Sequence, residues 1–451
     1  MMQRLRAPAG VCAWLAVLFI MPGRVFADGP PVTREQFLLL QQQNEILQQQ
    51  VRKQQEVIDA LSRKVDAIEN ANAHYNRELQ DLKDAGADSK PEVQTVSTGG
   101  EGFHIGKVDI AGEGGVAFFE SQNHGATRNA EFRIDEARLF LEAPVWKNVS
   151  FYTEINLAER EEPDLNVRVG ELYLEVEDLS ELWGSEHMMS LRLGRFYIPF
   201  GEEYQYRFAI DNPLISHSVS DLWGVDEGVE AFGRIGPVQY VLAVQNGGDP
   251  TTRDFNSDKA VVGRIGGDPT AWLHVSVSGM RTGELATMGD SLSALWFGNG
   301  WIRSVGSPQT TVFHANLVEG DVRVHVKNFA LNAAGGYINY GDNDPLMSND
   351  RDVYYYYVEG VQELTRKLYC AARFSQVLAR NGFPIVGNGD MATYFMQELT
   401  SDYWRLSLGL GYHFSPNLLV KGEYSFNQGQ DAEGDRRGHE DQFALEAAFR
   451  F

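Results

Sequence analysis

A two-residue hydrophobic repeat runs through residues 103–451 and limits the fold more than any other feature. Its clearest copy is the stretch Gln442 to Phe451. Phe443, Leu445, Ala447, Phe449 and Phe451 fall on one side, and Gln442, Ala444, Glu446, Ala448 and Arg450 on the other. Side chains of a strand alternate between faces, so this stretch is a strand with one apolar and one polar face. In a soluble sandwich the apolar face turns to a core. In a transmembrane barrel it turns to lipid, and the polar face lines the lumen.

The same pattern recurs upstream. Val149, Phe151, Ile155 and Leu157 alternate with Ser150, Tyr152, Glu154 and Asn156. Leu368, Cys370, Ala372 and Phe374 alternate with Lys367, Arg373 and Ser375. Trp404, Leu406, Leu408 and Leu410 alternate with Arg405, Ser407, Gly409 and Gly411. A sandwich needs large apolar side chains on its inner faces, whereas these second faces are charged or tiny. The runs are about ten residues long, the length of a tilted membrane strand. Aromatic residues gather near run ends (Tyr354 to Tyr357, Trp404, Tyr412, Phe414), as interfacial girdles do. The expected fold is an all-β transmembrane barrel of about sixteen antiparallel strands. A mean hydropathy of −0.31 is no objection, because alternation hides the apolar face from an average.

Ahead of the barrel the pattern changes twice. Residues 1–27 read as a secretory leader: Arg4 and Arg6, a short apolar run from Val11 to Ile20, and Val25-Phe26-Ala27 before cleavage. Residues 37–84 carry a 3-4 repeat through Phe37, Leu40, Asn44, Leu47, Val51, Gln54, Ile58, Leu61, Val65 and Ile68, with no Pro or Gly up to Leu82. That is a coiled-coil seam, expected to form an oligomerising stalk roughly 70 Å long. Residues 85–102 form a linker. With 39 basic against 62 acidic residues, nucleic acid is an unsuitable partner. Past the leader the one cysteine is Cys370, so neither an internal disulfide nor a cysteine metal cluster is expected, and no cofactor is implied.

Alternation also proposes a lumen lining. Arg323, His325, Lys327, Lys367, Arg373, Arg405 and Lys421 fall on polar faces of the later strands, and Glu136, Arg138, Glu154, Glu171 and Glu175 on those of the earlier ones. The expectation is a lumen with a basic wall facing an acidic one, and small polar solutes or anions favoured along the basic side. The irregular stretch Gly201 to Gly228 is the candidate to fold inward and narrow it. The aspartates of Gly247 to Asp258 and Gly341 to Asp352 suit solvated outer loops, with calcium or lipopolysaccharide bridging as the alternative. No H-E-x-x-H, G-x-S-x-G or P-loop pattern occurs, so an enzyme is not expected.

Three segments carry a family resemblance. They are Phe132-Arg133-Ile134-Asp135-Glu136-Ala137-Arg138-Leu139-Phe140-Leu141-Glu142, Leu193-Gly194-Arg195-Phe196-Tyr197-Ile198-Pro199-Phe200-Gly201-Glu202, and Val241-Leu242-Ala243-Val244-Gln245-Asn246-Gly247. They resemble the phosphate-selective porin O and P family, although Asp135-Glu136 stands where that family tends to carry basic residues. The resemblance implies a trimeric, sixteen-stranded outer-membrane porin embedded in lipid and lipopolysaccharide, passing small solutes such as phosphate. The stalk would then lie in the periplasm, within reach of peptidoglycan. A trimeric surface adhesin or envelope tether is the alternative.

Overall fold

The computed structural model describes residues 103–105, 107–125, 127–160, 165–185, 187–247, 257–286, 311–347, 350–383 and 400–451. The leader, the stalk and the linker lie outside them, as do Asp249 and Asp254.

Sixteen strands form one closed antiparallel barrel. They are β1 (Val108–Ser121), β2 (Glu131–Trp146), β3 (Val149–Ala158), β4 (Arg168–Val176), β5 (Ser190–Tyr197) and β6 (Val225–Ile235). Next come β7 (Val238–Gln245), β8 (Ala260–Thr270), β9 (Leu273–Arg281), β10 (Val312–Val326) and β11 (Phe329–Asp342). The last are β12 (Arg351–Glu363), β13 (Leu368–Phe383), β14 (Thr400–Ser415), β15 (Leu418–Asp431) and β16 (Gln442–Arg450). Three short pieces, Phe103–Ile105, Leu285–Ala286 and Arg436–Arg437, lengthen neighbouring ladders.

Each strand pairs with the next, and β16 pairs with β1, Leu445 opposite Phe118. Phe451 completes the closure, exchanging backbone bonds of 3.0 and 2.8 Å with Gly112. Closure leaves no edge strand to seek a partner. Connections alternate in length. Trp146 to Val149, Ile235 to Val238, Val326 to Phe329 and Ser415 to Leu418 are tight turns on one rim. The other rim carries the longer connections. On the short rim only β4–β5 runs long, holding a 3-10 turn, Leu179–Trp183, capped by Asp178 and ended at Gly184 with φ +77.

The barrel is inside out relative to a soluble protein. Leu408 and Leu410 point outward, 45 % and 56 % exposed, while Lys421, Glu423 and Glu446 point inward and expose 2–3 %. An apolar exterior around a polar interior is the arrangement that lipid demands. Two details differ from the sequence reading. Tyr354 and Tyr356 do face outward, but Tyr355 and Tyr357 turn inward and are buried. The lumen is also not water-lined throughout. Near the long-loop rim, Phe313, Leu317, Ile338, Tyr340, Val353, Tyr355, Val377 and Tyr403 make an apolar cluster inside the barrel. Strand alternation alone would have made those inward positions polar. A loop that brings its own apolar residues to cover them removes that requirement.

Candidate functional site

The connection from β5 to β6 turns inward and crosses the lumen. It runs from Ile198 to Gly224, where Ile198 N donates 2.8 Å to Gly224 O; Val225 to Gly228, expected to continue it, already belong to β6. Phe196, Ile198 and Phe200 alternate into the apolar cluster, joined by Val219 and Leu222 from the returning limb. Gly201 then makes the bend with φ +66, where the Glu319 carboxylate takes up the space a Cβ would need. A residue with a side chain is strained there on both counts.

Beyond the bend the loop's polar backbone is matched to the wall group by group. Lys421 on β15 donates to three loop carbonyls, of Ala209 at 2.6 Å, Leu214 at 2.9 Å and Asn212 at 3.1 Å, and lies 2.8 Å from Glu446. Arg373 on β13 reaches Ser216 O at 2.7 Å and Asn212 Oδ1 at 2.8 Å while paired with Glu359. Arg405 on β14 donates 2.9 Å to His217 O. Glu423 accepts from the backbone N–H of Ile215 at 2.5 Å and of Ser216 at 2.8 Å. Leu214 presses on Gly409, where an added Cβ would meet it at 2.5 Å. A buried backbone without partners would cost several kcal/mol per group, so the charged wall is what lets this segment sit at membrane depth.

The opposite side of the barrel holds the loop through a β-bulge. The extra residue in β2 lets both Asp135 and Glu136 point inward. Glu136 accepts from Ala209 N and from Arg138 at 3.2 Å, and the Arg138 guanidinium lies 3.7 Å over the Phe208 ring. Asp135 is paired with Arg160, which also donates 2.6 Å to Ile215 O. Glu154 accepts from Tyr197 at 3.2 Å.

The proposed lining residues therefore occupy several different settings. Arg373, Arg405, Lys421, Glu136 and Arg138 lie beneath the loop, buried and bonded to it. Glu154 is buried next to its root. Arg323 faces the open side, 2.7 Å from Glu202. His325 is exposed near the short-turn rim, its Nε2 3.0 Å from Lys327 O. Lys327 and Lys367 sit in turns, Lys327 with φ +56 and Lys367 donating to Phe414 O at 3.2 Å.

Of the groups on the loop's open side, alternation singled out Arg323 and Glu175 and missed the rest. There Arg264 reaches Gly201 O and, at 3.4 Å, the Tyr204 hydroxyl. Arg192 lies between Glu175 at 2.6 Å and Glu230 at 3.2 Å. His274 joins Glu202 at 2.9 Å to Asp268 at 2.7 Å. Loop residues Tyr204, Gln205 and Tyr206 border the same space, with Arg323 over the Tyr206 ring. The sequence signal of the missed groups is that they lie within or opposite the long irregular connection from Gly201 to Gly228.

Within the loop two groups carry shifted titrations. Burial would raise the Glu202 carboxyl, but Arg323 and the His274 hydrogen bond bring it below the usual range. Burial, reinforced by Asp221, pushes Glu203 up to about 8, against the pull of Arg373 and the bonds from Ser218. An acid with a raised folded-state value binds a proton the freed loop would have released. Its stabilising effect is full below about pH 4, falls as pH rises, and is spent above about pH 8. Conductance is therefore expected to rise between about pH 4 and about pH 8, and Glu203→Gln to flatten that rise. A pH-independent wild type would remove Glu203 as the cause.

No protein-family model matches the chain, and no curated protein sequence matches it. Similarity is found among solved structures. OmpT, an outer membrane protein of Vibrio cholerae, superposes with a TM-score of 0.52 at 11% identity, over 78% of this chain and 100% of that one. The outer membrane channel DcaP of Acinetobacter baumannii gives 0.52 at 12% identity, over 78% and 99%. The chain shares their fold. At such identities the likeness carries architecture and no residue-level role, and the resemblance to phosphate-selective porins rests on the three quoted segments.

Proposed function

We propose that this chain is a bacterial outer-membrane porin, a passive path for small polar solutes narrowed by its own inward loop. The observation that carries the reading is the pairing of an apolar exterior with a lumen whose charged wall is built to hold that loop. Such a wall has no use in a protein whose interior is a dry core. In membrane barrels the short turns face the periplasm, which supports a periplasmic position for both barrel termini and for the stalk expected over residues 37–84. An adhesin needs no internal loop of this kind.

The open side of the loop suggests a lean to cations. Glu175, Glu202, Glu230, Asp268 and Asp321 outnumber Arg192, Arg264 and Arg323 there, and the guanidinium donors are largely engaged by carboxylates, a carbonyl and a hydroxyl. Selection of anions such as phosphate would require cations less fully engaged.

The outward face also supports association of copies. By register Arg195 and Glu227 share the face of Leu193 and Val229, and they form an ion pair of 2.5 Å. Charge on a lipid-facing wall is costly; cover by a second copy, in the trimer the resemblance implies, would relieve it. Planar-bilayer recording of the whole chain tests both readings. Stepwise closure in threes and a reversal potential of cation-selective sign across a salt gradient are expected. An anion-selective sign ends the charge reading, and absence of channels ends the porin reading.

A further inference from the structure

We propose that His124 and His439 form a labile site for a late first-row divalent cation of the Zn²⁺ class on the long-loop rim. The site lies where the β1–β2 and β15–β16 connections meet at the barrel seam. Backbone bonds continue the seam into these loops: Gln122 N donates 2.8 Å to Asp441 O, and His124 N donates 3.0 Å to His439 O. His439 holds φ +64, a conformation uncommon for a residue with a side chain.

The two exposed imidazoles meet edge to face, with centroids 5.5 Å apart and planes at 81°. Two imidazoles on one tetrahedral ion, each with its nitrogen about 2.0–2.1 Å from the metal, hold their centroids roughly 5 Å apart, so the two rings already stand near the separation a shared ion requires. The hydrogen bond of His124 favours this use. Its Nδ1 lies 3.1 Å from the carbonyl oxygen of Gly438. A carbonyl only accepts, so Nδ1 carries the proton of the neutral ring and Nε2 keeps its lone pair. A ligating histidine commonly donates its other N–H in this way, which fixes both tautomer and orientation.

Neighbouring charges are mixed. Asp441 is held by Gln122 at 3.2 Å, Arg437 is paired with Glu440 at 2.7 Å, and Arg436 donates 3.0 Å to Gln428. Among the described residues no group of three or more His, Cys, Asp or Glu side chains is placed to hold a metal. Water must therefore complete the coordination, and the ion must exchange readily. Imidazole nitrogen selects zinc, copper and nickel over calcium and magnesium.

The test is calorimetric titration of ZnCl₂ into the folded, detergent-solubilised full chain, repeated with CaCl₂. One zinc equivalent with an enthalpy absent for calcium is expected. His124→Gln and His439→Gln should each weaken zinc at least tenfold, and the double variant should abolish that equivalent. Single-channel conductance without metal serves as the folding check. Zinc binding unchanged in the double variant would assign the ion to other histidines and overturn the proposal, as would a wild type that takes up no zinc.

Discussion

Replacing Lys421 with methionine is expected to free the internal loop and raise single-channel conductance several-fold. Methionine keeps the length and apolar stem of lysine, so the change is chiefly loss of the ammonium. Three loop carbonyls, of Ala209, Asn212 and Leu214, lose their donor together, and Glu446 loses the cation 2.8 Å away. Breaking one side of a buried pair costs roughly 3–5 kcal/mol, because the remaining charge stays buried without compensation. The denaturation midpoint should fall with the rise in conductance. The double variant Lys421→Met/Glu446→Gln separates the two effects. It removes the stranded carboxylate, so barrel stability should largely return, while the loop still lacks its donor and conductance stays high. Wild-type conductance in the single variant would mean that Arg373, Arg405 and Glu423 hold the loop without Lys421.

That result would also explain why the charged wall is not simply a selectivity filter. Lys421, Arg373 and Arg405 look from their spacing like a basic rail open to solute. In the folded chain their donors go to backbone carbonyls and carboxylates, and a solute passing the loop's other side meets Arg192, Arg264 and Arg323 with acids beside them. Both sets lie on inward faces. Whether a solute meets them is decided by where residues 198–224 travel.

The barrel was legible because alternation is local. From β14 to β16 the outward residues are apolar apart from Gly422 and, toward the long-loop rim, Asp402, Gln428 and Gln430, and nearly every inward one is polar or small, so the period could be counted directly. Legibility failed where an inward position met the loop instead of water. Phe313, Ile338, Val353 and Val377 are apolar on the wrong face for a wet lumen, and what they pack against, Phe200, Val219 and Leu222, lies far away in sequence. The bulge in β2 left a trace that was available: Asp135 and Glu136 are adjacent acids in an alternating run, which a regular strand would send to opposite faces. The Phe196-Tyr197-Ile198-Pro199-Phe200-Gly201 segment, which carries part of the family resemblance, has its own physical use. Its alternate apolar residues anchor the loop's root, and its glycine makes the bend.

Which face meets lipid can be tested more severely by placing arginine on each. Leu408 lies in the middle of β14, points outward, and sits between Ala372 and Tyr424 on the neighbouring strands. Leu408→Arg is expected to lower folding stability in lipid vesicles by roughly 2–4 kcal/mol, the cost of a cation near mid-membrane on a lipid-facing wall. Ala330 on β11 is the matched control. It faces inward, half-buried, opposite His325 and Val361, where a long cation can extend toward the short-turn rim. Ala330→Arg is expected to change stability by no more than about 0.5 kcal/mol, like other substitutions away from packed or paired groups, while shifting the reversal potential toward anions. Urea titration in vesicles measures the first quantity and bilayer recording the second. Should Leu408→Arg be tolerated and Ala330→Arg unfold the chain, the apolar side of these strands would have to face a protein core, and the assignment of both faces would be reversed.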